Sequence, residues 1–197
     1  MFFDNPDVDL IKEEGVWLYR NFISKEDCNF LTKEADKFSE EDWHDGWSRH
    51  QATLFYNNNP ESEEEIKAWW EKKVSPPLLN SVMTMVNNKL KPLFLPELLF
   101  IPEYKIVRLQ ENEYMKPHKD DRSAMKEAEV KQQFKIICAY TLYLSEFTGG
   151  EITYPEIGYT HTPEPGDLVI HSGTVLHEVL PVKSGTRYTV TGWLLNK

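Results

Sequence analysis

The stretch from residue 165 to residue 195 reads PGDLVIHSGTVLHEVLPVKSGTRYTVTGWLL. Its apolar and β-branched residues fall into three short runs, 167–171, 175–179 and 187–195, which are separated by Gly, Pro and small polar residues. Runs of this kind, bounded by turn residues, are typical of β-strands. The stretch therefore predicts three consecutive strands near the end of the chain.

Three further runs of the same kind lie upstream, at residues 104–109, 134–144 and 151–154. Several short strands at close spacing are typical of a double-sheet jelly roll. We therefore predict a cupin-like jelly-roll core, also called a double-stranded β-helix, over about residues 96–197. Residues 119–132 are charged and lack a strand pattern, so we expect a mobile flap there.

The sequence before the predicted jelly roll has helical signals instead. Ser24 followed by Asp27 resembles a capping box, and Ser62 and Ser75 are placed to begin two more helices. We therefore expect about residues 1–95 to form helices that support the jelly roll. The predicted fold class is α+β.

The composition limits the classes of protein and partner. The chain has 197 residues, of which 40% are hydrophobic, so residues 1–197 suit a single domain with its own core. The formal net charge of −10 disfavours nucleic acid as a partner, because gripping phosphates needs clustered Lys and Arg. Two cysteines are too few for a disulfide framework, and no long apolar segment is present. We therefore expect a cytoplasmic protein without a membrane span.

The run KPHKDD at residues 116–121 holds a candidate pair of metal ligands, His118 and Asp120. Residues two apart on an extended segment project from the same face, so this imidazole and this carboxylate can meet one metal ion. Surface polar pairs are common, and the pair alone is weak evidence for a metal site.

A second histidine, His177, lies in the apolar run 175–179, where the simplest interpretation is a buried imidazole satisfied by the backbone. Together with His118 and Asp120 it completes a set of two imidazoles and one carboxylate. Such a set occupies one face of a metal ion and leaves other positions open, as in non-haem Fe(II) oxygenases. The combination therefore favours an iron site.

Arg187 begins the last apolar run, and a guanidinium there needs an anion. Its planar fork matches a carboxylate, although a rim arginine paired with one of the many acids is the alternative. Thr189 faces the same way on an extended strand, and its hydroxyl can add a hydrogen bond to the same carboxylate. Tyr143, in the run AYTLYLSEF, can add another.

Over residues 104–195 these features combine into a resemblance to a known family. The stretches YKIVRLQENEYMKPHKDD, YTLYLSEFTGGEITYPEIG and PEPGDLVIHSGTVLHEVLPVKSGTRYTVTGWLL follow one another in order. In order and spacing they resemble the prolyl 4-hydroxylase-like branch of the 2-oxoglutarate and Fe(II)-dependent dioxygenases.

The resemblance implies a role for each candidate residue. It implies that the Fe(II) ligands are His118, Asp120 and His177. It also implies that Arg187 pairs with the distal carboxylate of 2-oxoglutarate, which Tyr143 and Thr189 support. Such enzymes use dioxygen to convert 2-oxoglutarate into succinate and carbon dioxide while they hydroxylate a C–H bond, and some of them use ascorbate.

The substrate side departs from the family pattern. Leu109, Asn112 and Met115 stand where prolyl hydroxylases usually have Tyr, Gly and Tyr, so the resemblance does not establish proline as the target. His171 stands where the family has an apolar or aromatic residue, and we do not expect it to bind the metal.

Several functions remain open at this stage. The leading hypothesis is hydroxylation of a peptidyl residue such as proline in a protein or peptide. The alternatives are hydroxylation of a free amino acid or another small metabolite, and a catalytically silent metal-binding jelly roll. The intact set of ligands and Arg187 argues against the silent module, and the acidic charge argues against a nucleic-acid demethylase.

Overall fold

A computed structural model describes the chain over residues 9–12, 15–43, 51–55, 81–82, 84–94, 99–100, 103–120 and 135–196. Helix α1 spans Lys25–Ala35. The shorter helical elements are the 3-10 helices Glu40–Asp42, Lys91–Leu93 and Pro155–Ile157 and the π-helix Val86–Leu90. The strands in chain order are β1 (Asp9–Lys12), β2 (Val16–Tyr19), β3 (Gln51–Phe55), β4 (Leu99–Phe100), β5 (Glu103–Leu109), β6 (Met115–His118), β7 (Lys135–Tyr143), β8 (Phe147–Gly149), β9 (Ile152–Tyr154), β10 (Tyr159–His161), β11 (Leu168–Ser172), β12 (His177–Val179), β13 (Val182–Gly185) and β14 (Arg187–Asn196).

The strands form antiparallel sheets of different sizes. The large sheet has the order β1-β2-β11-β7-β14-β5-β3, with β4 also paired to β14. The small sheet has the order β10-β9-β12-β6, and β8 pairs with β13. Strands distant in sequence are thus neighbours in both main sheets, which is characteristic of a jelly roll.

The two main sheets face each other across a shared apolar layer. Tyr143 and Val169 of the large sheet pack in one cluster with Ile152 and Tyr154 of the small sheet. The opposite face of the large sheet packs against helix α1, where Leu31 belongs to the larger core cluster. The large sheet is therefore covered on both faces.

Strand β14 shows how this layering positions a site. Tyr188 and Val190 belong to the core cluster that includes helix α1. Arg187 and Thr189, which alternate with them, line a cavity on the other face of the strand. Because side chains of a strand alternate between the two faces of a sheet, one short segment supplies both the core and the cavity.

The predicted fold class is confirmed: the core is a jelly roll in an α+β arrangement. Each of the six predicted strands is present, although the run 175–179 is a strand only over His177–Val179. The start predicted for the first helix is confirmed as well. The Ser24 hydroxyl accepts a hydrogen bond of 3.0 Å from the backbone N–H of Asp27, as an N-cap does.

Strands β1, β2 and β3 lie within about residues 1–95, for which helical support is predicted, and they correct that prediction where they occur. Strand β2 pairs with β11, and strand β3 pairs with β5, so both belong to the large sheet. The two strands have only four and five residues. Their pairing partners lie far along the chain, and local pattern does not reveal such pairing.

Several predictions fall wholly or partly outside the described residues. These are the helix predicted from Ser62, the start of the third helix at Ser75, and residues 121–132 of the expected flap. Within the third predicted helix, residues 81–82 and 84–85 are helical and lead into the π-helix Val86–Leu90. None of the helices in the described ranges is long and apolar enough to cross a membrane.

Candidate active site

Strands β6 and β12 bring the two candidate histidines together. His118 lies opposite His177 in the antiparallel pairing of these strands, and the centroids of the two rings are 4.3 Å apart. Asp120 follows the end of β6. One potential ligand atom from each of His118, Asp120 and His177 can be chosen so that all three lie within 4.8 Å of one another. The fold therefore brings together the three side chains that the sequence singles out as metal ligands.

Both imidazoles are oriented by the backbone. The Nδ1 atom of His118 is 2.7 Å from the carbonyl oxygen of Lys116, and the Nδ1 atom of His177 is 3.0 Å from that of Val175. A carbonyl oxygen only accepts, so each Nδ1 carries the proton and donates it. In the neutral ring the Nε2 atom then keeps a lone pair for a metal ion.

The carboxylate lies between these Nε2 atoms. Asp120 Oδ1 is 3.9 Å from His118 Nε2, and Asp120 Oδ2 is 3.8 Å from His177 Nε2. Two imidazole nitrogens and one carboxylate oxygen are a donor set that suits Fe(II). The residues present therefore fit a non-haem iron ion.

The protonation states also suit metal binding. Burial, followed by the neighbouring His171, lowers the pKa of His177, so its imidazole stays neutral. Burial alone would raise the pKa of Asp120. The hydrogen bond from His171 and the nearby imidazoles of His177 and His118 outweigh burial and hold this pKa below its ordinary value. The site thus presents a neutral imidazole and a carboxylate anion.

Arg187 lies in the same cavity with a buried guanidinium. Its side chain is among the largest fully buried ones, and its Nε atom donates to the Gly150 carbonyl oxygen at 3.1 Å. Its Nη1 atom is 3.5 Å from the Thr189 hydroxyl oxygen. The guanidinium carbon is 5.1 Å from the centre of the Tyr143 ring.

No carboxylate among the residues that the structure describes forms an ion pair with this guanidinium. The Tyr143 hydroxyl is buried and has no hydrogen-bond partner in the described part of the chain. A buried charge is costly without a counter-ion, and so is a buried hydroxyl without a partner. Arg187 and Tyr143 therefore fit the carboxylate of a small molecule.

One cavity joins the histidines to the arginine. Among its lining residues are His118, Asp120, His177, Arg187 and Thr189. Tyr143 packs against Arg187 but does not line the cavity. The structure thus brings all six predicted site residues into one neighbourhood.

The contact of His171 with Asp120 is not predicted from the sequence, which singles out His171 only as a histidine that is not expected to bind the metal. It is 2% exposed, and its Nε2 atom is 3.2 Å from Asp120 Oδ2. Its Nδ1 atom is 3.2 Å from the Tyr154 hydroxyl oxygen. The only sequence signal for this role is a polar residue within the apolar run of β11.

Comparison with known proteins agrees with this geometry. Residues 104–195 match the family model of the 2OG-Fe(II) oxygenase superfamily. Over these residues the chain is similar to this superfamily. The resemblance noted in the sequence is thereby confirmed, and so is the expectation of Fe(II), 2-oxoglutarate and dioxygen as the cofactor and co-substrates.

Two relatives and one solved structure indicate how far the similarity of this oxygenase extends. A PKHD-type hydroxylase of Crocosphaera subtropica is 40% identical over 68 residues, which cover 32% of this chain and 31% of the relative. A PKHD-type hydroxylase of Prochlorococcus marinus is 23% identical over 90% of this chain and 77% of the relative. The crystal structure of the viral collagen prolyl hydroxylase of Paramecium Bursaria Chlorella virus-1, solved with 2-oxoglutarate, has a TM-score of 0.59 at 16% identity. That comparison covers 96% of this chain and 100% of the other, and it shows the shared fold.

Proposed function

We propose that this oxygenase hydroxylates a C–H bond of a peptidyl residue such as proline and converts 2-oxoglutarate into succinate and carbon dioxide. One observation carries the proposal: a cavity lined by His118, Asp120 and His177 is also lined by the buried Arg187, which has no carboxylate partner among the described residues. A metal site and a site for a dicarboxylate thus adjoin.

The residue roles are part of the proposal. His118, Asp120 and His177 would hold Fe(II), with both imidazoles fixed by their Nδ1 hydrogen bonds. Bound iron supplies the activation of dioxygen, of which one oxygen atom enters succinate and the other enters the hydroxylated product. The protein itself contributes binding and orientation.

Arg187 would anchor 2-oxoglutarate by its distal carboxylate. The guanidinium fork can donate two parallel hydrogen bonds, and the Thr189 hydroxyl lies beside it. The Tyr143 hydroxyl, which is buried and lacks a partner in the described part of the chain, would complete the group. Anchored at this end, the co-substrate would direct its 2-oxo acid end toward the three ligands.

A peptidyl substrate is supported by the proteins to which this chain is similar. The relative from Prochlorococcus marinus is named a hydroxylase, and the structural neighbour is named a collagen prolyl hydroxylase. Met115 and His118 both line the cavity, and Met115 stands where the family pattern has a tyrosine. The substrate side therefore differs from that of typical prolyl hydroxylases.

The test measures succinate formed from 2-oxoglutarate by anaerobically Fe(II)-loaded protein on exposure to air. We expect turnover that rises with a proline-rich peptide pool and disappears in His177→Ala. Arg108→Leu, which changes a buried side chain that contacts Glu40 and Trp43 and is not among the site residues, is the control and should keep turnover. Stimulation by a pool of free amino acids instead of peptides would support the small-metabolite alternative. Absence of both turnover and 2-oxoglutarate binding would support a silent module.

A cytoplasmic location is also part of the proposal. Cys28 and Cys138 are both free and buried, as expected for a chain that folds in a reducing compartment. Fractionation of the producing cells, with antibody detection of the chain, tests it.

A further inference from the structure

His171 is a buried imidazole to which the proposed function assigns no role. Strand β11 places its ring 4.1 Å from that of His177, measured between centroids. It lies between two polar partners, the Tyr154 hydroxyl at 3.2 Å and Asp120 Oδ2 at 3.2 Å. A buried imidazole with hydrogen bonds at both ring nitrogens is held in one orientation, because losing either bond would leave a buried polar atom without a partner.

The direction of these two hydrogen bonds follows from their ends. A carboxylate that binds a metal ion has no proton and only accepts, so the Nε2 atom of His171 must donate to Asp120. In the neutral ring the Nδ1 atom then accepts, and the Tyr154 hydroxyl donates to it. Burial raises the pKa of Tyr154 well above its ordinary value, so this hydroxyl keeps its proton.

We propose that His171 is a positioning residue. Its hydrogen bond holds the Oδ2 oxygen of Asp120, and the other oxygen, Oδ1, is thereby the one that binds the iron. The inference deepens the proposed function and rests on it. Tyr154 has the supporting role of fixing the tautomer of His171.

The hydrogen bond to Oδ2 matters because it limits Asp120 to one coordination position on the metal ion. A free carboxylate can bind through both oxygens and would then take a fourth position on the ion. The facial arrangement of two histidines and one carboxylate works because the remaining positions stay open for a bidentate oxoacid and dioxygen. Asp120 lies beyond the last residue of β6, where no strand pairing fixes it, so a side-chain hydrogen bond has this task.

His171 is not itself placed as a ligand. Within the described residues, the group whose ligand atoms all lie within 4.8 Å of one another consists of His118, Asp120 and His177 and does not include His171. Its Nε2 proton is also directed at Asp120, which leaves no lone pair there for a metal ion.

The test compares four variants by two equilibrium measurements on the full chain. Mn(II) affinity is measured by electron paramagnetic resonance, and 2-oxoglutarate affinity of the Mn(II)-loaded protein is measured by calorimetry. His171→Phe keeps a ring without a donor, and His171→Gln keeps an N–H donor. Tyr154→Phe removes the supporting hydroxyl. Tyr159→Phe is the matched control, because Tyr159 stacks on Tyr154 at 5.9 Å but its hydroxyl points to His161.

We expect His171→Phe to weaken Mn(II) binding by about 10- to 100-fold, the usual effect of losing a partner of a metal ligand. Binding of 2-oxoglutarate to the Mn(II)-loaded variant should also weaken. His171→Gln should recover most of the loss, Tyr154→Phe should fall between, and Tyr159→Phe should match the wild type. If His171→Phe does not fold, the Tyr154→Phe and His171→Gln pair still decides the inference.

Two results would overturn the inference while leaving the proposed function in place. One is unchanged Mn(II) and 2-oxoglutarate affinity in folded His171→Phe and Tyr154→Phe. The other is equal loss of Mn(II) binding in His171→Phe and His171→Gln with no effect of Tyr154→Phe, which would make His171 a ligand. A wild-type chain that binds neither Mn(II) nor 2-oxoglutarate would overturn the proposed function itself, and this inference with it.

Discussion

Two buried arginines lie on neighbouring strands, and their surroundings differ. Arg108 of β5 donates to both carboxylate oxygens of Glu40, at 2.9 and 2.7 Å, and its guanidinium lies 4.2 Å from the centre of the Trp43 ring. Arg187 of β14 has the Gly150 carbonyl oxygen and the Thr189 hydroxyl instead. The protein supplies a counter-ion for the first arginine, and none of the described residues supplies one for the second.

The difference follows from the faces of the large sheet. Arg108 lies opposite Tyr188 in the pairing of β5 with β14, on the side where the N-terminal segment supplies Glu40 and Trp43. Arg187 points into the roll, toward the metal ligands. A buried arginine with its own carboxylate contributes to structure, whereas a buried arginine without one is suited to bind an anion. Each prediction below tests this contrast.

The largest effect is expected from Arg187→Leu. Loss of a buried charge partner costs about 2–5 kcal/mol, so the affinity for 2-oxoglutarate should fall by at least about 30-fold. Affinity for Mn(II) should stay within about 3-fold of the wild type, because the contacts of the Arg187 side chain in the described part of the chain are with Gly150, Thr189, Tyr143 and Phe147 and not with the three ligands. Calorimetry of the Mn(II)-loaded protein measures the first value, and electron paramagnetic resonance measures the second.

Arg187→Lys sharpens this result, since it keeps the charge but loses the planar fork. It should bind 2-oxoglutarate better than Arg187→Leu and worse than the wild type. If Arg187→Leu binds 2-oxoglutarate with the affinity of the wild type, Arg187 does not belong to the proposed carboxylate site. Arg187 and Arg108 would then not differ in their role toward 2-oxoglutarate.

The second effect is stabilisation by the co-substrate. With Mn(II) bound and 2-oxoglutarate at 100 times its Kd, the free energy of unfolding should rise by about 2.7 kcal/mol, which is about 5–10 °C in Tm. Calorimetric melting of the wild type and of Arg108→Leu should show the same rise. Arg187→Leu should show at most about 0.9 kcal/mol of this rise at the same concentration, because its Kd is at least about 30-fold higher. An equal rise in all three proteins would show that Arg187 does not contribute to 2-oxoglutarate binding.

The third effect concerns Arg108 alone. Arg108→Leu should lower the free energy of unfolding by about 1–2 kcal/mol, through loss of the Glu40 pair and of the contact with Trp43. The loss is moderate because the Glu40 side chain is 72% exposed. Urea denaturation measures it, and Glu40→Gln is the control with a smaller expected loss. A fall in 2-oxoglutarate affinity in Arg108→Leu would place this arginine in the site as well.

Much of the site is predictable from the sequence because its geometry is local or repeats a family pattern. The two-residue spacing of His118 and Asp120 keeps the two side chains close together, although Asp120 lies two residues beyond the end of β6. The alternation of β14 points Arg187 and Thr189 into the same cavity. The role of His171 is not predictable in this way. Its partner Asp120 is 51 residues away in sequence, and only the folded structure joins them.

The difference between Arg108 and Arg187 is also not predictable from the local sequence. In the sequence each is a basic residue in a β-branched or apolar run, and nothing local marks Arg108 as paired and Arg187 as unpaired. The partner of Arg108 is Glu40, which lies in the region for which the sequence predicts helical support. Strand β3, in the same region, is also missed because its pairing with β5 joins distant segments.

The smallest effect is expected from Tyr143→Phe, which removes one hydroxyl from the group around Arg187. The hydroxyl is buried and has no hydrogen-bond partner among the described residues, so a bound carboxylate would give it one. A hydrogen bond to a charged group contributes about 1.5–3 kcal/mol, but Tyr143 packs behind Arg187 and does not line the cavity, so we expect the lower end or less.

The affinity of the Mn(II)-loaded Tyr143→Phe variant for 2-oxoglutarate should therefore fall by about 3- to 10-fold, as measured by calorimetry. The free energy of unfolding without ligand should stay equal or rise slightly, because the variant no longer buries an unpaired hydroxyl. Tyr188→Phe is the control, since it removes a hydroxyl on the side of the large sheet that packs against α1, where this hydroxyl donates to Asp36 Oδ1 at 2.7 Å. Equal losses of 2-oxoglutarate affinity in both variants would show that the effect comes from packing and not from a hydrogen bond to the carboxylate.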